Sequence, residues 1–141
     1  MDRPRIISYS ITKTKKHNIG GDDMASGFLT THVLDTARGC PAADLSISLF
    51  RIDGELRHHI RTMQTNADGR TDSPILPPAE IVVGIYELVF AAGDYLRGCG
   101  LEGDTLFLDH VPVRFGLDDA DQHYHVPLLL SPFGYSTYRG S

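Results

Sequence analysis

Cysteine is scarce in this chain, positive charge is in deficit, and no apolar run is long. The two cysteines, Cys40 and Cys99, stand far apart and outside any metal-ligand spacing. They read as free thiols in a reducing compartment rather than as a disulfide. Thirteen Lys and Arg against eighteen Asp and Glu leave a formal net charge of −5, which argues against a nucleic-acid surface, where basic residues cluster. No stretch approaches the roughly 20 apolar residues that span a bilayer, so no membrane partner is expected. Ile6-Ile7-Ser8-Tyr9-Ser10-Ile11 is too short and too polar for a signal-peptide core. The closing Arg139-Gly140-Ser141 is not the Ser-Lys-Leu peroxisomal address. The expected location is cytoplasmic.

What remains is ordinary globular material. The 141 residues, 41% hydrophobic and 22% charged, suit one domain with a sizeable core. Residues 1–26 mix lysines, glycines and Asp22-Asp23 without periodicity and are expected to form a disordered tail; the domain spans 27–141. Phe28 to Asp35 is rich in β-branched and apolar residues and predicts a strand. Residues 36–44, with Gly39 and Pro41, read as a connection. Leu45-Ser46-Ile47-Ser48-Leu49 alternates as a half-buried strand does. Asp53-Gly54 is a hairpin signal, with the returning strand from Glu55 to Thr65. Asn66-Ala67-Asp68-Gly69 marks a second turn that presents Arg70 at its exit.

The prolines at 74, 77 and 78 exclude a central strand there. Val83 to Ala91 and Phe107 to Leu117 predict strands, and Gly93 to Cys99 a short helix. Two last strands follow from His123 onward. Short strands at regular intervals with one small helix and no βαβ alternation predict an all-β sandwich.

The closing stretch carries the chemistry. With side chains alternating along a strand, His123 and His125 share one face, and Tyr124 and Val126 the other. Both faces of 123–130 bear apolar groups, which suggests cover from the chain's own core on one side and from a neighbouring subunit on the other. A strand histidine is by default packed or solvated, and Arg70 after an Asp-Gly turn is by default a surface charge. The His123–His125 pair has the spacing of two zinc ligands, but a catalytic zinc needs three protein ligands. Only a coincidence of folding would bring His110 or His32 to complete them, so no metal is expected. His58 and His59 read as surface residues.

Four blocks then carry a resemblance. Leu29-Thr30-Thr31-His32-Val33-Leu34-Asp35 with Gly39-x-Pro41-Ala42, Thr65-Asn66-x-Asp68-Gly69-Arg70, His123 through Pro132, and the closing Tyr138-Arg139-Gly140-Ser141 resemble the transthyretin-like 5-hydroxyisourate hydrolases of urate breakdown. The resemblance covers 29–141. It implies a transthyretin-like sandwich of two four-stranded sheets with one short helix. It also implies a homotetramer with sites at the dimer–dimer interface, and hydrolytic ring opening without metal or cofactor. By motif position it places catalysis on His32, Arg70, His125 and Ser141, with Tyr138 and Arg139 joining them in substrate binding.

The chemistry suits those residue types. Ring opening needs a proton taken from water and one delivered to the leaving nitrogen, and histidine titrates where it can do either. Which of the two histidines is the base stays open. Arg70 supplies fixed positive charge for ring oxygens and a developing oxyanion, and it favours neutral histidine nearby. Ser141 would position through its hydroxyl and the chain's carboxylate rather than act as a covalent nucleophile. Two other classes stay open: a small-ligand carrier on the same fold, and a non-enzymatic interaction module.

Overall fold

The computed structural model describes residues 25–140; the tail expected over 1–26 falls almost wholly outside them, as does Ser141. Strand β1, Phe28–Asp35, alternates fully: Leu29, Thr31, Val33 and Asp35 are buried, while the residues between them are half-buried on the opposite face. After the two-residue strand β2 (Cys40–Pro41), the hairpin strands β3 (Ser46–Asp53) and β4 (Leu56–Gln64) meet at Asp53-Gly54. A 3-10 turn at Pro78–Glu80 occupies the proline-rich stretch. Strand β5 (Gly84–Ala91) runs straight into helix α1 (Ala92–Gly98), and β6 (His110–Leu117), β7 (His123–Ser131) and β8 (Gly134–Thr137) complete the chain.

These form two four-stranded sheets, in the orders β2-β1-β7-β8 and β4-β3-β5-β6. Leu29, Val33, Leu128 and Leu130 of the first sheet and Ile47, Leu49, Leu88 and Phe90 of the second are all fully excluded from solvent. They form one continuous core, and burying each such side chain is worth about 1.5–3 kcal/mol. The expected sandwich is thus the observed one. Three details differ from the sequence reading. Strand β3 runs past Leu49 to Asp53, beyond the alternating stretch, which a bulge between Leu49 and Phe50 interrupts. The segment 36–44 contains the short β2 pairing, opposite Leu34 and Asp35. The strand expected from Phe107 begins only at His110.

The decisive pairing is β1 with β7. It is parallel and joins residues some 95 positions apart, with Phe28 opposite His123, Thr30 opposite His125 and His32 opposite Pro127. Parallel neighbours in register present the same face, so Thr30 and the two histidines of β7 share the outer face of this sheet. Tyr124 and Val126 point into the core, both buried.

The end of β1 is anchored to the helix. Buried Asp35 accepts the backbone N–H groups of Ala37 and Arg38 at one carboxylate oxygen and the Tyr95 hydroxyl, 2.7 Å away, at the other. Burial, followed by the bond to Asp35, pushes the Tyr95 hydroxyl well above its usual pKa, so it stays a donor. Among the described residues no helix is long and apolar enough to cross a membrane. Replacing Tyr95 with Phe leaves a buried carboxylate oxygen short of its donor. Urea denaturation is expected to show a loss of about 1–3 kcal/mol, the usual cost of an unsatisfied buried group; an unchanged midpoint would mean that the anchor contributes nothing.

Candidate active site

The site begins with a loop locked from inside. Thr65 is buried; its hydroxyl donates to the Ala42 carbonyl at 2.6 Å and accepts the Leu45 N–H at 2.9 Å. Asn66 then organises the turn. Its side-chain oxygen accepts the N–H groups of Asp68 and Arg70, and its amide nitrogen donates to Asp72. The backbone closes the same loop, with Gly69 N–H donating to Asn66 O and Asn66 N–H to Arg70 O. An asparagine that bonds its own turn in this way holds it without help from a strand.

This turn is pressed onto β1. The Val33 N–H donates to the Gly69 carbonyl at 2.8 Å, and His32 and Arg70 form a β-bridge. Gly69 has φ +76°, and a Cβ there would lie 2.3 Å from the Val33 carbonyl oxygen. Only glycine satisfies both the left-handed backbone and the close approach. The tight dock is what carries Arg70 to the histidine-bearing face.

Three imidazoles meet there. His32 Nε2 lies 2.8 Å from the Asp68 carbonyl oxygen. A carbonyl only accepts, so Nε2 carries the hydrogen and the neutral ring presents Nδ1 as a lone pair. His125 Nδ1 and His123 Nε2 each lie 2.8 Å from the Thr30 hydroxyl. His125 therefore keeps only Nε2 free for other work. The His123 ring is stacked on Phe28, with centroids 4.2 Å apart. Arg70, Thr71, Asp72, Thr30, His123 and His125 line one cleft of about 390 Å³.

Electrostatics keep the bases neutral. Burial first, and the charge of Arg70 second, lower the pKa of His32; the bond to the Asp68 carbonyl and the Asp68 carboxylate oppose them. The His125 pKa is lowered by burial, then by Arg70, then by His123 and His32. The sign follows for stability. As the pH falls below about 6.5 the unfolded chain takes up these protons first. The two sites therefore favour the folded state fully above that value and lose their contribution below it, until the folded rings also titrate.

The structure thus brings His32, Arg70 and His125 together. Tyr138 and Arg139 go elsewhere. Arg139 stacks over the Tyr124 ring at 4.4 Å and donates to Gln122, and both residues line a second cavity of about 300 Å³ along Val113 and Phe115. Ser141 lies outside the described residues, but its neighbour Gly140 bonds the His125 carbonyl at 2.7 Å. A Cβ on Gly140 would come within 2.6 Å of His125 Cδ2, so the closing segment reaches the histidine through a glycine. Sequence reasoning passed over Thr30 as a site residue. Its signal is only a threonine two residues before His32, and its meaning depends on the β1–β7 register. His58, His59 and His110 are all exposed. Among the described residues no group of three or more His, Cys, Asp or Glu side chains is placed to hold a metal ion.

A family described as the HIUase/Transthyretin family matches residues 29–140. The chain is similar to the 5-hydroxyisourate hydrolase of Mesorhizobium japonicum, 65% identical over 116 residues covering 82% of this chain and 93% of the relative. It is similar also to 5-hydroxyisourate hydrolase 2 of Rhizobium meliloti, 62% identical over 117 residues covering 82% of this chain and 98% of the relative. Among solved structures it is like the Klebsiella pneumoniae 5-hydroxyisourate hydrolase, with a TM-score of 0.69 and 32% identity, covering 82% of this chain and 99% of that one.

Removing the central charge tests the electrostatic reading. In Arg70→Gln, NMR titration of the imidazole carbons is expected to show the His32 and His125 pKa values rising toward the ordinary 6.5. Values unmoved by the substitution would mean that Arg70 does not set their charge state.

Proposed function

The chain belongs to the HIUase/Transthyretin family, and we propose that it hydrolyses 5-hydroxyisourate, opening the six-membered ring to 2-oxo-4-hydroxy-4-carboxy-5-ureidoimidazoline in urate degradation. One observation carries the reading beyond family membership: Arg70 stands by His32 and His125, whose pKa values are both lowered, at a cleft of a size for one small heterocycle. A fixed cation suits the oxygens of a urate-like ring and the charge that develops on its carbonyl in the transition state. Neutral imidazoles at neutral pH are bases ready to accept a proton.

The free nitrogens suggest the division of labour. His125 Nε2, the ring atom not engaged by Thr30, takes the proton from the attacking water and returns it to the leaving ring nitrogen. His32 accepts a hydrogen bond at Nδ1, orienting the water or a ring N–H, because its Nε2 is committed to the Asp68 carbonyl. Arg70 polarises the attacked carbonyl. Ser141 is assigned, by motif position, a positioning role through its hydroxyl. Tyr138 and Arg139 complete the substrate contacts in the assembled protein, which we place as a homotetramer with sites at the dimer–dimer interface. The half-exposed outer face of β1 supports that assembly. The activity is assigned to the cytoplasm, in keeping with two free thiols. A carrier of apolar ligands gains nothing from such titratable groups, and no observation here favours that reading.

Turnover is checked by the ultraviolet decay of 5-hydroxyisourate generated in place by urate oxidase. The wild-type chain should accelerate it, and His32→Ala and His125→Ala should each lower the rate by about 100-fold or more, the usual worth of a general acid–base group. Variants that fold and keep near-wild-type rates would overturn the assignment.

A further inference from the structure

Thr30 has one hydroxyl proton and two imidazole neighbours. Its oxygen sits 2.8 Å from both His125 Nδ1 and His123 Nε2. A hydroxyl that donates to one nitrogen accepts from the other. With both rings neutral, only two arrangements satisfy the three groups. In the first, His125 Nδ1–H donates to Thr30 and Thr30 donates to His123 Nε2. In the second, both bonds run in the opposite direction. Each arrangement fixes the tautomer of both rings; a shift of the two bridging protons becomes possible when His125 Nε2 takes up a proton, and it leaves His123 protonated at both nitrogens. His123 is exposed whereas His125 is half-buried, so the chain of bonds leads from the more buried ring to the one in contact with solvent.

We infer that Thr30 and His123 are positioning residues that form a proton relay behind His125, moving the charge generated in catalysis from the half-buried ring to the exposed one, which lines the same cleft. The inference rests on the hydrolase reading for its catalytic consequence, though not for its geometry. The steps balance. In the first arrangement His125 Nε2 is a lone pair, and it takes a proton from the attacking water. Nδ1 then passes its own proton to the Thr30 oxygen, as the Thr30 proton moves to His123 Nε2. His125 is again neutral, now with Nε2–H, and His123 is the imidazolium. When the leaving nitrogen takes the Nε2 proton, both shifts reverse and the starting state returns.

The relay answers a difficulty built into the site. Arg70, His32 and His123 all face His125, and the first two remain near it throughout the reaction. An imidazolium at His125 would be held beside a permanent guanidinium, and among the described residues no carboxylate is bonded to it. At His123 the same charge lies against Phe28, in contact with water. Asp72 lines the same cleft and is tied to Asn66.

Substitution at Thr30 separates a relay from a packing role, because the two predict opposite orders. Valine keeps the shape and removes the hydroxyl; serine keeps the hydroxyl and removes a methyl. A relay predicts that Thr30→Val lowers kcat by at least about tenfold, a fraction of the worth of a general base, with KM nearly unchanged. It also predicts that Thr30→Ser stays near wild type. A packing role predicts the reverse order, with Val harmless and Ser impaired, and that result would overturn the relay. A second readout does not depend on the substrate. Imidazole ¹⁵N spectra of the wild-type chain should show the His123 and His125 tautomers titrating together, and Thr30→Val should uncouple them. Independent titration in the wild type would overturn the relay even if the enzyme turns over. Absence of turnover with coupled rings would instead overturn the hydrolase reading and leave the relay standing.

Discussion

One backbone contact determines whether there is a site at all: the hydrogen bond from the Val33 N–H to the Gly69 carbonyl. It docks an otherwise irregular turn against the middle of β1. Everything chemically interesting is then within reach, because His32 is the neighbouring residue on that strand and Arg70 the neighbouring residue on that turn. The dock is supported from behind by buried Thr65 and from within by Asn66, so the arginine is delivered by a rigid frame. The second half of the site arrives by a separate route. Strand β7 pairs in parallel with β1 and sets His123 and His125 beside Thr30. Two long-range pairings, made for reasons of core packing, thus converge on one face.

That convergence explains the charge state of the cleft. A cation beside His32 and His125 destabilises either of them when protonated, and burial acts in the same direction. The arrangement sacrifices some stability at acid pH and keeps two bases neutral near pH 7. A purely structural face would have had no need of it, since apolar side chains in these positions would pack without the repulsion. In the proposed reaction the neutral bases and the fixed charge serve different parts, the transfer of a proton and the stabilisation of an oxyanion. Their proximity is what a hydrolytic site requires.

Much of this was legible in the residues, and the limit of legibility has a physical cause. Content in β-branched and apolar residues marked β1, alternation marked the first part of β3 because one of its faces is buried, and the period-2 rule placed His123 with His125 opposite Tyr124 and Val126. The turn at 66–69 was visible in Asn66, Asp68 and Gly69, whose side chains or backbone freedom act locally. The sandwich was legible in the spacing of short strands, whereas its transthyretin-like form and its chemistry came from four blocks resembling a known family. Periodicity could not give the parallel partner of β1, since a pairing across some 95 residues leaves no local trace. For the same reason Thr30 passed unnoticed: an ordinary strand threonine becomes a bridge between two imidazoles only when β7 lies beside it. Tyr138 and Arg139 face a different cavity within one chain, something motif position alone does not encode.

The central claim is that burial and the Arg70 guanidinium keep His32 and His125 neutral, and the dependence of wild-type kcat/KM on pH tests it most directly. The account predicts that kcat/KM for 5-hydroxyisourate keeps its neutral-pH value as the pH is lowered past about 6.5, the ordinary histidine pKa, and falls only in more acid solution. An acid limb centred at or above 6.5 would contradict it, because the essential imidazoles would then titrate as though neither burial nor Arg70 acted on them.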